Sequence, residues 1–515
     1  MKEWILISVI LPAVMGVCLL LASFAENVKR SETVNRKNRR RDRQTGEQGT
    51  QFGLHCFVGI VLALSVASTF FTAYGGEKSL VLFPLVDGIP VAFRTDDLSC
   101  FFVTIVGIVW LCAGVYSFRY MSHEGDEKRF YGFYLLLYGV LCGLCFSANL
   151  VTMYLFYELM TLTSMPLVLH NGSREAIMAS LKYLFYSMCG AYAGLFGIFF
   201  LNRYCDTLDF VAGGSLNMTT VSGQEDMLLV AVFVMLLGFG AKAGLFPMHA
   251  WLPAAHPVAP SPASAVLSGV IVKFGVFAMI RTVFYVVGPA FLRGTWVQYA
   301  WMTLALLTVF MGSMLAFGEP VLKKRLAYST VSQISYILFG LSLLAPTAFS
   351  GALLHTAVHA FVKCGLFLTA GVWIWQSGLT RVEELRGIGR KMPVLLWGYT
   401  ILSLALVGIP PTGGFLSKWY LAQGAVQSQT GVFRLMGPAV LLVSALLTAG
   451  YLFPITMNGF FPGKTQDGSQ LPQRKDPPAG MLVPVLLLAL AAVLLGVIPG
   501  PVTKYIADIA ALVCR

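Results

Sequence analysis

The chain has 515 residues, of which 57% are hydrophobic and only 12% are charged. A soluble domain carries about 25% charged residues, so this composition excludes an ordinary soluble protein. The formal net charge of +12 does not indicate nucleic-acid binding, because membrane proteins hold an excess of Lys and Arg in their cytoplasmic loops. Apolar runs of about 20 residues, the length that spans a bilayer, follow one another along the chain. We therefore predict an all-α polytopic membrane protein.

Residues 1–128 are predicted to contain the first three transmembrane helices. The strongly basic segment 29–44 separates the first two helices and is expected to be a solvated cytoplasmic loop; a contact with anionic lipid or a partner subunit is the alternative. Between the second and third helices, two short apolar runs flank Asp87 and Gly88. This pattern predicts a β-hairpin, which we place on the outer side of the membrane.

The rest of the chain brings the predicted number of transmembrane helices to about fourteen. We expect helices 4–8 in residues 129–287, helices 9–13 in residues 297–461, and helix 14 with a tail in residues 480–515. Most Lys and Arg residues outside the helices lie in loops that follow odd-numbered helices. The positive-inside rule then places both termini on the outer side of a multi-pass protein of the cell's inner or plasma membrane.

Five ionisable side chains lie deep inside the predicted helices: Glu158, Lys242, Lys273, Lys363 and Lys418. A charge at the bilayer centre costs about 2.5–3.5 kcal/mol, so it persists where it faces water, a partner or a functional site. Five such residues in separate helices predict a polar chain through the helix bundle. Glu158 and Lys242 carry opposite charges at similar depth, and we expect them to pair as a gate.

The eleventh predicted helix carries His355, His359 and Lys363 at intervals of four residues. This spacing stacks the three side chains on one helix face, about 6 Å apart. Histidine titrates near neutral pH, so the stack has the chemistry of a proton relay. Buried histidines that only make structural hydrogen bonds are the alternative.

Two predicted helices are interrupted, one at Pro247 and the other at Pro410 and Pro411. Proline inside a membrane helix frees backbone groups, which are tolerated only within protein or against a water-filled cavity. Interrupted helices in both halves of a chain indicate inverted repeats with ion sites near the midplane. His249 and His256 flank the first break, where they either line a channel entrance or cap the broken helix.

Five sequence blocks carry a resemblance to a known family. They are YELMTLTSMPLVL (157–169), GAKAGLFPMHAWLPAAHPVAPSPASAVLSGVIVKFG (240–275), KKRLAYSTVSQISY (323–336), HTAVHAFVKCGLFLTAG (355–371) and GIPPTGGFLSKWYL (408–421). The chain resembles the antiporter-like membrane subunits shared by respiratory complex I, Mrp-type sodium/proton antiporters and energy-converting membrane-bound nickel–iron hydrogenases. The resemblance implies two inverted five-helix repeats, helices 4–8 and 9–13, each with one broken helix.

The resemblance also implies roles for individual residues. Glu158 is similar to a gating glutamate that pairs with a lysine, here Lys242, and Lys273 is similar to a lysine that leads toward the central axis. His355, His359 and Lys363 match the central relay. Lys418 matches the terminal residue, which passes the proton to the exit side or to a neighbouring subunit.

These observations predict a proton-translocating subunit of a redox-driven complex, either complex I-like or a hydrogenase, with sodium as an alternative coupling ion. An Mrp-type cation/proton antiporter subunit without a redox partner is the second hypothesis, and a structural scaffold is the third. The stretch around His256 is closest to the hydrogenase and Mrp-like branches.

Motifs for flavin, haem, iron–sulfur clusters or enzymatic catalysis are missing from the sequence, so we expect no cofactor, no metal site and no catalytic residue. The expected partners are other membrane subunits and lipid.

Overall fold

A computed structural model of the chain describes residues 3–33, 43–86, 88–463 and 475–515. The centre of the predicted basic loop, residues 34–42, and the predicted turn residue Asp87 therefore lie outside the described residues. Within the described part the fold is mostly helical, and ten helices are long and apolar enough to cross a membrane. The helical membrane fold that the composition predicts is thus confirmed.

The helices of the first half lie in the predicted order, but the first two extend into the predicted basic loop 29–44, since one ends at Thr33 and the next begins at Arg43. Their bounds are α1 (Glu3–Thr33), α2 (Arg43–Tyr74), α3 (Asp97–Glu124), α4 (Glu127–Cys145), α5 (Leu150–Val168), α6 (Arg174–Tyr204), α7 (Glu225–Ala243), α8 (Leu252–Val258) and α9 (Ser261–Val287). Side-chain caps fix several of their starts. Asn149 accepts a hydrogen bond from the Thr152 amide at 2.8 Å, and Ser173 caps α6 in the same way. Such caps satisfy amides that the first helical turn leaves free.

The second half continues the helical pattern. Its helices are α10 (Trp296–Gly318), α11 (Leu322–Ser342), α12 (Pro346–Ser377), α13 (Pro393–Val407), α14 (Gly413–Gln427), α15 (Phe433–Phe460), α16 (Ala479–Val497) and α17 (Gly500–Val513). The most enclosed helix is α9, in which every residue is buried, and α12 is nearly as enclosed. These two helices form the centre of the molecule, and each of them carries predicted site residues.

The predicted β-hairpin is present between α2 and α3. Strands β1 (Ser79–Val86) and β2 (Ile89–Arg94) pair in antiparallel fashion. Strand β2 is anchored to the α4–α5 connection, since the Arg94 amide donates to the Phe146 carbonyl at 2.6 Å and the Asn149 side chain donates to the Pro90 carbonyl at 2.8 Å. The hairpin is therefore fixed to the helix bundle along its second strand.

Helices α6 and α7 approach closely through glycine. A Cβ atom added at Gly190 would lie 2.4 Å from the Gly238 carbonyl oxygen, and one added at Gly238 would lie 2.4 Å from the Gly190 carbonyl oxygen. Small residues at such crossings let helix backbones touch within a membrane. This contact fixes α7, which carries Lys242, against α6.

Both predicted helix breaks are present. The first separates Ala243 from Leu252 and contains Pro247, and the second separates Val407 from Gly413 and contains the two adjacent prolines. Each upstream helix ends on a glycine with positive φ, Gly244 in the first break and Gly408 in the second. Glycine is favoured there because it adopts this left-handed conformation without a Cβ clash.

Candidate functional site: a buried chain of lysines and histidines

Lys242 lies in the last turn of α7 and is completely buried. Its ammonium nitrogen Nζ donates to Thr161 Oγ1 at 2.8 Å, Tyr183 OH at 2.9 Å and Ser187 Oγ at 3.0 Å. A lysine ammonium has three donors, so this set uses all of them. The Tyr183 ring centroid also lies 4.5 Å from Nζ, a distance typical of a cation–π contact. The site holds a positive charge with hydroxyls in place of a carboxylate.

Glu158 lies nearby on α5 but does not touch Lys242. Its Oε1 accepts a hydrogen bond from Tyr154 OH at 3.0 Å, and no ion pair within 4.0 Å joins it to Lys242 in the described part of the chain. The two charges still interact through space. The predicted pair is therefore not a direct contact in this structure, because hydroxyls occupy all the donors of Lys242.

A hydrogen-bonded bridge connects Lys273 on α9 with Lys363 on α12. Lys273 Nζ donates to the Ser268 carbonyl at 2.5 Å, one π-helical turn back along its own helix. Ser268 Oγ contacts Thr330 Oγ1 on α11 at 2.7 Å, and Thr330 donates to the Leu326 carbonyl at 2.9 Å. Lys363 Nζ donates to the same carbonyl at 3.0 Å. The bridge thus passes through the covalent structure of Ser268: its backbone carbonyl is hydrogen-bonded to Lys273, and its hydroxyl leads through Thr330 to the carbonyl shared with Lys363.

This bridge gives a first prediction, for the variant Thr330→Val. Valine has the shape of threonine but lacks the hydroxyl, so Ser268 Oγ loses its only partner in the described part of the chain. We expect a loss of about 1–3 kcal/mol in unfolding free energy, the cost of an unsatisfied buried polar group, measured by thermal unfolding in detergent. Thr356→Val is the control, because Thr356 bonds only within its own helix. Equal stability of the two variants would contradict the bridge.

His355 and His359 stack on each other inside α12. Their ring centroids are 6.0 Å apart with an interplanar angle of 21°, which confirms the spatial arrangement that their spacing predicts. His355 Nδ1 lies 2.9 Å from Ser417 Oγ on α14. Within the described residues, His355 Nε2 and both ring nitrogens of His359 have no hydrogen-bond partner. Ring packing therefore holds the stack in place, and three of its four ring nitrogens are free to bind or release a proton.

Lys418 occupies the second helix break. Its Nζ donates to the carbonyls of Leu406 at 2.7 Å and Val407 at 3.0 Å, both in the last turn of α13. The free carbonyls of a helix C-terminus carry a partial negative charge that favours a cation. The same Nζ lies 5.0 Å from the centroid of the Tyr336 ring, and the other neighbour of that ring is His355 at 5.5 Å. Tyr336 thus connects the histidine stack with Lys418.

The two histidines at the first break have different surroundings. His256 is completely buried, stacks on Phe367 at 4.5 Å, and has no hydrogen-bond partner on either ring nitrogen within the described chain. Its electrostatic neighbours include Lys323 and the central lysines. His249 is only half-buried, and it interacts electrostatically with the exposed residue Lys182.

The predicted site residues form two groups. Glu158 interacts with Lys242 in the first group, whereas Lys273, Lys363, His359, His355 and Lys418 interact successively in the second. No hydrogen bond joins Lys242 to Lys273 among the described residues. The helices that carry them do touch, since a Cβ at Gly275 would lie 2.6 Å from the Ala243 amide nitrogen. Together the two groups, named here the lysine–histidine chain, cross the interior of the protein.

The sequence reasoning missed seven polar residues that the structure adds to the lysine–histidine chain: Thr161, Tyr183, Ser187, Ser268, Thr330, Tyr336 and Ser417. Thr330 and Tyr336 belong to KKRLAYSTVSQISY, a block quoted only for its family resemblance. The density of polar residues in that block was a usable signal, because a buried helix with so many hydroxyls must bond them to neighbours. Ser268 and Ser417 gave no comparable signal.

A buried ion pair stands apart from the lysine–histidine chain. Arg281, near the end of α9, donates to Asp96 through Nη1 at 2.6 Å and Nη2 at 2.8 Å. The guanidinium also lies 4.6 Å from the Phe210 and Tyr285 ring centroids. Asp96 caps the start of α3, so the pair ties that helix end to α9.

The fold and the site together define a class of protein: a polytopic helical membrane protein with a line of ionisable residues through its interior. The family described as NADH:quinone oxidoreductase/Mrp antiporter, transmembrane, matches residues 147–448, more than half of the chain. A second family, the N-terminus of complex I chain 5, matches residues 87–131. The chain belongs to the NADH:quinone oxidoreductase/Mrp antiporter family, which confirms the resemblance.

Relatives come from all three branches that the sequence resembles. NADH-quinone oxidoreductase subunit N of Desulforudis audaxviator (strain MP104C) is 34% identical over 421 residues, 78% of this chain and 81% of that protein. A Na(+)/H(+) antiporter subunit of Bacillus subtilis (strain 168) is 28% identical over 458 residues, 87% of this chain and 88% of that protein. Hydrogenase-4 component B of Escherichia coli (strain K12) is 30% identical over 423 residues, 79% of this chain and 62% of that protein.

Solved structures share the fold. A chain of the membrane-bound sulfane sulfur reductase, an archaeal respiratory membrane complex, superimposes with a TM-score of 0.80 at 22% identity, covering 99% of this chain and 98% of that one. A chain of the Mrp complex from Dietzia sp. DQ12-45-1b gives a TM-score of 0.79 at 20% identity, covering 100% and 97%. The helix arrangement is therefore common to redox and antiporter assemblies.

Proposed function

We propose that this protein is a proton-translocating subunit of a multi-subunit membrane complex driven by redox chemistry in other subunits. The lysine–histidine chain carries the proton: Glu158 and Lys242 form the gate, Lys273 leads to Lys363, and His359 and His355 pass the proton to Lys418. The observation that carries the proposal is the continuity of the second group, in which four buried titratable residues and the half-buried Lys418 interact one after another.

The absence of counter-ions within the described chain supports a relay over a static scaffold. None of the five ion pairs of the described residues includes a lysine or histidine of the lysine–histidine chain. An uncompensated buried charge is costly, so a proton on one member disfavours a proton on its neighbour. Such mutual repulsion drives a proton from one residue to the next. A structural scaffold, in contrast, gains no stability from keeping unpaired ionisable residues in its interior.

We further propose the fourteen-helix arrangement with inverted repeats in residues 129–287 and 297–461, flanked by regions 1–128 and 480–515. In its support, each proposed repeat contains five helical units, and the fourth unit is the broken one: α7 with α8, and α13 with α14. The positive-inside rule then puts both termini and the β-hairpin on the outer side of the inner or plasma membrane.

The outward position of Glu158 supports assembly with another membrane subunit. Glu158 is only half-buried, and its neighbours Leu159 and Leu162 are 43% and 53% exposed. A carboxylate that faces lipid is costly, so we propose that a partner subunit covers this face of α5. This proposal agrees with the relatives, which are named as subunits of oxidoreductases and antiporters.

We propose that His256 lies on the entry path of the proton and that His249 lines the helix break. Lys323, whose Nζ donates to the Ala259 carbonyl at 2.8 Å, lies at the basic end of α11 and interacts electrostatically with His256. His256 in turn interacts with Lys273 and Lys363. A proton that enters near Lys323 therefore has a short route to the centre of the lysine–histidine chain.

An Mrp-type antiporter subunit without a redox partner is the second candidate function. It is favoured by the Bacillus subtilis relative, which matches 87% of this chain, and by the Mrp fold match. The same residues serve either function. The identity of the neighbouring subunits in the purified complex, and the ion that moves, distinguish the two candidates.

The test of the proposed function uses the Glu158→Gln variant. Vesicles containing the whole complex are supplied with its electron donor, and proton and sodium fluxes are recorded separately. Glutamine keeps the size and polarity of the side chain but cannot ionise, so we expect proton uptake to fall to background while electron transfer is partly retained. Glu383→Gln, a substitution at an exposed loop residue, is the matched control. Wild-type proton uptake in Glu158→Gln would refute the gate, and sodium flux without a redox partner would favour the antiporter.

A further inference from the structure

The hydrogen bonds around His355 decide which of its nitrogens carries the proton. We propose that Ser417 is a positioning residue that holds His355 in the neutral form with hydrogen on Nδ1, leaving Nε2 as the atom that receives a proton. The consequence for transport rests on the proposed function, whereas the tautomer is a property of the resting protein. The two can therefore be tested separately.

Ser417 has one hydroxyl hydrogen and two neighbours within hydrogen-bond distance. Its Oγ lies 3.0 Å from the Gly414 carbonyl oxygen and 2.9 Å from His355 Nδ1. A carbonyl only accepts, so the serine hydrogen is directed to Gly414 when that bond is made. Ser417 Oγ must then accept from His355, which requires a hydrogen on Nδ1.

The other side of the imidazole ring supports the same assignment. His355 is 1% exposed, and its Nε2 has no hydrogen-bond partner within the described residues. A buried N–H group without an acceptor is rare in native proteins, whereas an unpaired acceptor is better tolerated. With hydrogen on Nε2, that donor would be unpaired and Ser417 would have to leave Gly414. With hydrogen on Nδ1, both bonds are made and only a lone pair stays free.

Two aromatic neighbours fix the plane of the His355 ring. The Tyr336 ring stacks at 5.5 Å with an interplanar angle of 19°, and the His359 ring stacks at 6.0 Å with an angle of 21°. A 180° flip of the ring keeps this plane but puts Cδ2 where Nδ1 lies, so it would lose the Ser417 contact. Packing therefore fixes the plane of the ring, and the Ser417 bond selects which edge of the ring faces α14.

The tautomer determines how His355 takes part in proton transfer. An incoming proton adds to the Nε2 lone pair and gives an imidazolium of charge +1 that keeps its Nδ1–H bond to Ser417. Release on the Ser417 side requires Ser417 Oγ to take the Nδ1 proton while its own hydroxyl hydrogen turns away from Gly414 and passes to a neutral amine or a water molecule, which leaves the serine neutral. Ser417 is next to Lys418 in the sequence, so one turn of α14 positions both the histidine and the terminal lysine.

The direct test is solid-state NMR on the complex carrying ¹⁵N-labelled histidine, with the signal of His355 identified by its loss in His355→Asn. We expect a protonated Nδ1 and an unprotonated Nε2 in the wild type. In Ser417→Ala the partner of Nδ1 is lost, so the two tautomers should become mixed. A wild-type signal with hydrogen on Nε2, or an unchanged tautomer in Ser417→Ala, would overturn the proposal.

Transport provides a second readout. By analogy with metal-ligating histidines, for which loss of the hydrogen-bond partner changes activity about 10- to 100-fold, Ser417→Ala should reduce proton flux on the order of 10-fold. Ser417→Thr keeps the hydroxyl and should restore both flux and tautomer. Ser403→Ala is the control, because the Ser403 hydroxyl is buried without a hydrogen-bond partner in the described part. Loss of flux in Ser417→Ala with an unchanged tautomer contradicts the positioning role, whereas a wild type with the expected tautomer and no flux contradicts only the proposed function.

Discussion

Lys242→Ala should abolish proton translocation by the assembled complex. The substitution removes the ammonium that donates to Thr161, Tyr183 and Ser187, so the charge opposite Glu158 disappears and no proton can bind there. Proton flux in vesicles is the measurement, with electron transfer recorded in parallel. Tyr183→Phe removes one of the three acceptors and should reduce flux without abolishing it.

The matched control for Lys242 is Lys324→Ala. Lys324 is 40% exposed and pairs with Glu319 at 2.8 Å, so its loss removes a lysine without touching the interior. Unchanged flux in this variant would show that the effect of Lys242→Ala is specific to the buried site. Proton flux at the wild-type level in Lys242→Ala would exclude the first group as a gate.

The largest expected change in stability comes from Arg281→Met. Removing one member of a buried ion pair leaves the other charge without its partner, at a cost of about 3–5 kcal/mol. Asp96 is partly accessible at 20% exposure while Arg281 is fully buried, so we expect the lower part of that range. Thermal unfolding of the purified complex measures the effect. The double variant Asp96→Asn, Arg281→Met should be more stable than Arg281→Met alone, because it leaves no unpaired carboxylate.

An ion pair with an accessible lysine serves as the comparison for Arg281. Lys324→Met breaks the contact with Glu319, in which the lysine is 40% and the glutamate 10% exposed, so we expect a loss near the upper end of the range of about 0–1 kcal/mol for surface pairs. A similar loss of stability in Lys324→Met and Arg281→Met would mean that the Asp96 pair contributes no more than a surface contact.

Features that depend on local sequence were predictable. Membrane helices follow from runs of apolar residues, the breaks follow from proline and glycine, and the histidine stack follows from a four-residue spacing. Buried charges such as Lys363 were conspicuous because charge is scarce in this composition. For these features the physical cause lies within a short stretch of chain.

Contacts between distant parts of the chain were not predictable from one sequence. The partner of Arg281 lies 185 residues away, and no local pattern connects the two. The expected pairing of Glu158 with Lys242 rested on charge alone, and nothing in the sequence indicated that the three hydrogen bonds of Lys242 go to hydroxyls on α5 and α6. Ser417 is one of many serines in the helices, and only the geometry distinguishes it.

The glycine contact between α6 and α7 has a consequence for any movement of the gate. Gly190 and Gly238 bring the two backbones together with no room for a side chain, so the helices can shift only as one block. That block carries Lys242 together with Tyr183 and Ser187. Thr161, the remaining partner of Lys242, belongs to α5 along with Glu158. A movement of α5 that changes the distance between Glu158 and Lys242 would break the Thr161 contact of Lys242 and the contact between Ser164 and Tyr183 at 2.6 Å, and it would leave the Tyr183 and Ser187 contacts of Lys242 intact.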